Sequence, residues 1–348
     1  MNQTRRLLAI SISVGLIMFC LGYLVSDWVE NKSKKTPHSN NVITDTSHYT
    51  RNNPGDIGDK ELNRFINPLL DCEGNFGEIG PSFIDGLKSK TAELQKTPGI
   101  TSLSVYFRQL NDGRWAGINE NEQYIPASLL KVPLMIAAYR FIEIHPEKAN
   151  VKYPFDDKIP APYPNRIVGS KALIKGNFYS IQELINYMII YSDNNAASIL
   201  QNAIDPDVLK HVFKDLGLKS VDEVPGIYGI SALGYATFLR ILFNATYLNR
   251  THSAQALEIM SKVEYKNALV AGLPPNTTIS HKFGERESDV GRQLHDCGII
   301  YRNGAIGDYL LCIMIKGDTY PKMEKIIAEL SKYVYDHSSA SVITPHLK

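Results

Sequence analysis

The chain has 348 residues, 44% of them apolar and 21% charged, with a formal net charge of +1. That length suits one large domain or two modest ones, and the near-neutral charge gives no electrostatic footprint for nucleic acid. Nine histidines are scattered without an H-E-x-x-H spacing and no C-x-x-C occurs, so neither a metal nor another cofactor is expected.

The N-terminal stretch Leu7 to Val25, "LLAISISVGLIMFCLGYLV", runs for nineteen residues without a charge. As a helix it would measure about 28 Å at 1.5 Å per residue, close to the roughly 30 Å hydrocarbon core of a bilayer. Tyr23 and Trp28 stand where interfacial aromatics belong. No small-x-small cleavage site comes after it, and Phe19 precedes Cys20 where a lipoprotein signal would need a small residue. The reading is an uncleaved single-pass transmembrane helix at 7–25 with a cytoplasmic tail at 1–6. Arg5 and Arg6 favour that orientation, against Lys32, Lys34 and Lys35 on the other flank. Residues 26–60 are polar and aperiodic, a flexible linker. Residues 61–348 form the remaining domain, which opens on a short apolar interlude, "ELNRFINPLLDCE", able to dock on the body of that domain.

Further along, "PSFIDGLKSKTAELQK" (81–96) predicts an amphipathic helix. "SLSVYFRQL", the turn "NDG" and "RWAGINE" predict a hairpin. A mostly helical middle comes next, clearest at "SIQELINYMIIY" (180–191) and "ALGYATFLRILFNATYL" (232–248). Strands return at "TTISHKFG", "LHDCGIIYR" and, after a turn at Asn303-Gly304, "DYLLCIMIKG". A last helix, "PKMEKIIAELSKYVYDH", carries the stripe Met323, Ile326, Ile327, Leu330 and Val334. The order predicts an α+β fold: one five-stranded antiparallel sheet flanked by helices, plus an all-helical lobe, with a site in the crevice between them. Beyond Cys20, the cysteines Cys72, Cys297 and Cys312 are odd in number; they read as buried free thiols, although Cys297 and Cys312 fall on neighbouring predicted strands.

Three separated segments carry chemistry. In "IPASLLKVPLM", Ser128 and Lys131 are three residues apart at a helix start, so both can face the same way. A serine hydroxyl needs a base to become a nucleophile. A lysine can be that base only where burial or a second cation lowers its pKa. "YSDNNAAS" brings Ser192, Asp193 and Asn194 between two predicted helices, and "HKFGE" brings Lys282, Phe283, Gly284 and Glu285 on a late strand.

The set S-x-x-K, S-D-N and K-x-G, in this order, resembles the signature of class A β-lactamases and penicillin-binding proteins over roughly residues 80–337. The resemblance implies the β-lactamase/transpeptidase-like fold and an acyl-enzyme on Ser128, with Lys131 as proton acceptor or relay. It implies that Ser192 passes a proton to the leaving nitrogen while Lys282 holds its hydroxyl. Asn194 would bind the substrate amide, Gly284 would keep the strand edge open, and the N–H groups of Ser128 and Glu285 would form an oxyanion hole. Asp193 would fix its loop. Substrates would be β-lactams or the D-alanyl stem peptides of peptidoglycan.

Two departures stand out. Phe283 replaces the Thr or Ser that the family usually carries between Lys and Gly, where a hydroxyl helps bind a carboxylate; Arg286 or Arg292 could supply charge but read as surface residues. The E-x-x-L-N segment that carries the deacylating glutamate of class A enzymes is absent, leaving only Asp222 and Glu223 nearby, with Glu223 reading as an exposed loop acid. The expectation is therefore slow deacylation. An efficient class A-type β-lactamase, a catalytically disabled cell-wall-binding homologue, and an esterase or amidase on other acyl groups remain as alternatives.

Overall fold

The computed structural model describes residues 62–68, 81–156, 166–288, 291–302 and 307–338. The expected membrane segment, the linker, Cys72 and the Asn303-Gly304 turn lie outside the described residues. Among the described residues no helix is long and apolar enough to cross a membrane.

Helix α1 (Pro81–Gln95) begins with proline at its first position, where a missing N–H costs nothing, and buries Phe83, Leu87, Thr91 and Leu94 along one side. Strands β1 (Ile100–Gln109) and β2 (Trp115–Ile118) form the expected hairpin. A 3-10 turn, Ala127–Leu130, leads straight into α2 (Lys131–Ile144). A small antiparallel ribbon, β3 (Lys152–Pro154) with β4 (Phe178–Ser180), interrupts the helical middle. Its strands are too short to show an alternation in sequence.

Helices α3 (Ile181–Ile190), α4 (Asn194–Ala203), α5 (Pro206–Asp215), α6 (Ala232–Phe243) and α7 (Arg250–Ser261) build the rest of the lobe. A capping box between Ser180 and Glu183 starts α3. Helix α6 ends sooner than its periodicity suggests, because the chain turns at Asn244 and Ala245, the latter at φ 48°.

Strands β5 (Ile279–Ser288), β6 (Gly291–Ile300) and β7 (Tyr309–Gly317) then join the first hairpin in one antiparallel sheet of order β2-β1-β7-β6-β5. Helix α8 (Tyr320–His337) closes the chain, and its predicted stripe, Met323, Ile326, Ile327, Leu330 and Val334, is buried as expected. Helices α1 and α8 cover one face of the sheet and α6 packs on it from the helical lobe. Strand β7, clad on both faces, is an unbroken apolar run from Tyr309 to Ile315. Strand β5 is left at the edge, which is what exposes it to the crevice.

Two further expectations are resolved. The interlude before α1 docks: Phe65 and Ile66 are buried, the N–H of Asn67 donates to the Phe243 carbonyl at 2.7 Å, and Phe65 meets Tyr301 edge-on at 5.3 Å. The cysteine reading is corrected. Cys297 and Cys312 are direct partners in the β6–β7 register, 3.9 Å apart at Cα, and they form a disulfide rather than two free thiols. Pairing register, which spacing alone does not reveal, brings the two sulfurs together.

Packing between α8 and the segment before β5 is tight at Gly272. A side chain there would run into the Ala328 carbonyl and the Lys332 backbone nitrogen of α8. Gly272→Ala is expected to destabilise the domain by about 1–3 kcal/mol, read as a lower urea midpoint at unchanged slope.

Candidate active site

The three chemical segments meet. Ser128, Lys131, Ser192, Asn194, Phe283 and Glu285 line one cavity of about 1130 Å³. Its walls are the Ser128 turn and α2, the α3–α4 junction, and the edge strand β5.

The turn bearing Ser128 is restrained from several sides. Tyr124 pairs through its backbone with Ile230, and its hydroxyl bonds the hydroxyls of Ser102 and Ser104 on β1. Ile125 is clamped by β6: its N–H donates to Gln293 Oε1 and its carbonyl accepts from His295 Nε2, both at 3.0 Å. Burial depresses the His295 pKa to about 4, so its ring is neutral at physiological pH, with Nε2 as donor. Ala127 then takes a left-handed backbone, φ 50°, and throws Ser128 into the cavity. Sequence reading misses Gln293 and His295, and no motif could find them; only the β5–β6 pairing carries them to the turn.

At the α3–α4 junction Ser192 is also left-handed, φ 55°, and almost fully buried. Such non-glycine geometry typically costs about 1–3 kcal/mol and persists only when its surroundings impose it. Here Asp193 does so. Its carboxylate caps α4 by accepting from the Ala196 N–H at 2.8 Å and reaches across to the Leu173 N–H at 3.2 Å. The sequence expectation that Asp193 fixes the loop agrees with these contacts.

Two lysines converge on Ser192. Lys131 Nζ donates to Ser192 Oγ at 3.1 Å, to the Ser192 carbonyl and to Asn194 Oδ1 at 2.7 Å. Lys282 Nζ reaches the same Oγ from β5 at 3.0 Å. Burial pulls the Lys131 pKa down to about 7, partly offset by the carboxylates of Asp193 and Glu285. Lys282 is wholly buried and its pKa is lowered well below the usual range, by desolvation first and by the neighbouring Lys131 second. An amine poised near neutrality, one turn of chain from a serine, can take up and return a proton at physiological pH.

Lys282 sits behind Ser192 rather than on the cavity surface. Gly284 does not line the cavity either: a Cβ there would lie 2.5 Å from the Pro126 carbonyl oxygen and 3.1 Å from the Leu129 nitrogen. Its bareness lets β5 press directly on the Ser128 turn. Phe283 is buried, its ring centroid 4.2 Å from that of Tyr265 and 4.0 Å from Lys282 Nζ, and it gives the cavity an apolar wall. Arg292 pairs with Glu287 at the surface, as expected, whereas Arg286 lines the cavity. Among the described residues no cluster of His, Cys, Asp or Glu could hold a metal ion.

A family model described as the beta-lactamase enzyme family matches residues 87–338. The chain belongs to that family. It is a β-lactamase-like serine hydrolase, an enzyme of acyl transfer, with the class's α+β fold. No curated protein matches. Among solved structures, that of PBP-A is 22% identical, covering 72% of this chain and 95% of that one at a TM-score of 0.62. A β-lactamase from Xanthomonas campestris is 23% identical, with coverages of 73% and 98% and a TM-score of 0.61. One from Chitinophaga pinensis is 20% identical, with 73%, 99% and 0.63. These likenesses are of fold.

Two outcomes test this geometry. Acylation of the protein should quicken as pH rises through about 7 and then level off, because Lys131 accepts a proton only in its neutral form; a flat rate across that range would assign the base elsewhere. Gly284→Ala should slow acylation on the order of 10²-fold by shifting β5 against the Ser128 turn, measured on protein whose melting temperature shows it folded.

Proposed function

We propose that this protein is a membrane-anchored, extracytoplasmic serine hydrolase that forms an acyl-enzyme on Ser128 from β-lactams or D-alanyl peptidoglycan peptides and releases it slowly. The observation that carries the chemistry is the convergence of the Lys131 and Lys282 ammonium groups on Ser192 Oγ, beside Ser128 in one cavity. In this reading Lys131 takes the Ser128 proton as Oγ attacks the acyl carbon. Ser192, held by Lys282, passes a proton to the nitrogen as the C–N bond breaks. The backbone N–H groups of Ser128 and Glu285 stabilise the oxyanion, and Asn194 holds the amide of the acyl group. Support for β-lactams as acyl donors comes from the structural relative PBP-A. A mutant of that protein has been solved as an acyl-enzyme complex with penicillin G, at 22% identity to this chain and a TM-score of 0.61.

Slow release is supported by what the two nearby acids do. Glu223 accepts from the Ser220 N–H at 2.8 Å and caps its own turn, and does not line the cavity. Asp222 lines it but accepts from the Ser220 hydroxyl at 2.8 Å and faces Lys210 at 3.5 Å. Those hydrogen bonds lower both carboxyl pKa values, which makes each a weaker base towards water. Anchorage through residues 7–25, with 26–60 as tether, is supported by the uncharged run and its flanks.

The test is the intact mass of the full chain in detergent, followed for hours after benzylpenicillin. A lasting adduct of one penicillin, absent in Ser128→Ala, is expected. Consumption of drug without an adduct, abolished by Asp222→Asn or Glu223→Gln, would instead identify an efficient β-lactamase. An intact drug and an unmodified chain would indicate a binding homologue, to which the Phe283 wall would be the structural clue.

A further inference from the structure

The cavity contains a carboxylate that the proposed acyl transfer does not use. Glu285 contributes only its backbone N–H to that scheme, yet its side chain lines the cavity with Ser128 and Phe283. One carboxylate oxygen accepts from the Ile167 N–H at 2.8 Å; the other is buried and has no hydrogen-bond partner among the described residues. A buried anionic oxygen left without a donor is costly and calls for a partner from outside the chain.

Its place along β5 says which part of a substrate it meets. The group that leaves must be reached by Ser192 Oγ, which Lys282 Nζ holds at 3.0 Å. Lys282 Nζ is in turn 4.0 Å from the centroid of the Phe283 ring. Residues two apart on a strand share a face, so Phe283 and Glu285 stand side by side. A leaving group drawn up to Ser192 therefore extends over an apolar ring towards a carboxylate. Lys131 and Lys282 are near enough to feel the Glu285 charge, but their hydrogen bonds go to Ser192, Asn194 and the Phe283 carbonyl and none reaches the Glu285 carboxylate. Lys210, at the other end, faces Asp207 and Asp222. Arg286 lines the same cavity, and strand alternation sets it on the face of Lys282 and Gly284 rather than that of Phe283 and Glu285, so it is the competing cation that the experiment must separate.

Resting on the acylation reading above and narrowing its substrates, we infer that the Glu285 side chain is a specificity determinant that selects acyl donors whose leaving group is neutral or cationic, so that free penicillins and D-alanyl-D-alanine peptides, whose leaving groups carry a carboxylate, are its slow donors. A second negative charge beside Glu285 would be repelled in a recess where water screens it poorly. An alkyl group would instead lie on Phe283, and an ammonium would supply the missing donor to the orphan oxygen. The bond changes are those of ordinary acylation: Ser128 Oγ bonds to the acyl carbon, the C–N bond breaks, and the Ser128 proton ends on the nitrogen through Lys131 and Ser192.

Three donors with one β-lactam bond and one acyl side chain separate the possibilities: benzylpenicillin, its methyl ester, and its diethylaminoethyl ester, which is cationic at neutral pH. The readout is the rate of adduct formation on Ser128 by intact mass, divided by each compound's rate with hydroxylamine in solution. The methyl ester is expected to acylate at least tenfold faster than the free acid, and the cationic ester at least as fast as the methyl ester. In Glu285→Gln that ratio should shift at least fivefold towards the acid. A fold defect would slow all three donors together and leave the ratio alone. The inference is overturned if the free acid reacts as fast as the esters, if Glu285→Gln leaves the ratio unchanged, or if a preference for the acid exists and disappears in Arg286→Ala. Absence of any adduct from all three would sink the acylation reading itself, and the inference with it.

Discussion

The site depends on keeping two lysine ammonium groups out of water within reach of one serine hydroxyl. Lys131 and Lys282 both donate to Ser192 Oγ, at 3.1 and 3.0 Å, from elements 151 residues apart in the chain (282 − 131). Each has been stripped of solvent, and Lys282 is repelled by Lys131 besides, so each is biased towards its neutral form. That bias is what turns an ordinary lysine into a base. It requires walls: α2 buried from Lys131 to Tyr139, the edge strand β5 pressed on the Ser128 turn at Gly284, and the α3–α4 junction held by Asp193. Two of the left-handed non-glycine residues, Ala127 and Ser192, hold polar groups at that point against the preference of the chain.

Such a site is expensive in stability, which explains the number of hydrogen bonds around it that do no chemistry. Gln293 and His295 hold Ile125 from β6, Tyr124 is tied to β1 and to Ile230, and Asp193 joins α4 to Leu173. Each restrains a segment adjoining Ser128 or Ser192. A serine whose neighbours are fixed on both sides loses little further freedom when it reacts. The sheet contributes through its order: with β7 in the middle and β5 at the edge, one strand is rigidly paired on one side and bare on the side that faces the cavity.

How much of this can be read in the sequence depends on the range of each signal. Ser128 with Lys131, Ser192 with Asn194, and Lys282 with Gly284 are local patterns, and their order along the chain is enough to bring them to one place. The strands and the long helices are legible because their periodicity extends over several residues. What escapes depends on pairing between distant segments. The Cys297–Cys312 disulfide and the clamp of Gln293 and His295 on Ile125 are consequences of strand register. The β3–β4 ribbon is three residues wide, below the length at which alternation can be recognised. The motif gives Gly284 an open strand edge, but the space beside it is filled by the Ser128 turn, a contact that no local pattern encodes.

The residues that depart from the family pattern fall into two groups, and the grouping is informative. The residues to which the proposed acyl transfer assigns bond formation, from Ser128 to Lys282, are all present and brought together. The differences lie at positions that meet other parts of a substrate: Phe283 and Glu285 along β5, and the short turn with Asp222 and Glu223 on the opposite side. Loss of function by drift would erode the costly elements first, because two buried lysines and two left-handed residues destabilise a fold that no longer needs them. Here those are kept, while an apolar ring and an unpaired carboxylate have been set at the edge of the same cavity. A pattern of that kind supports the proposed reading of altered recognition on a retained acylation centre.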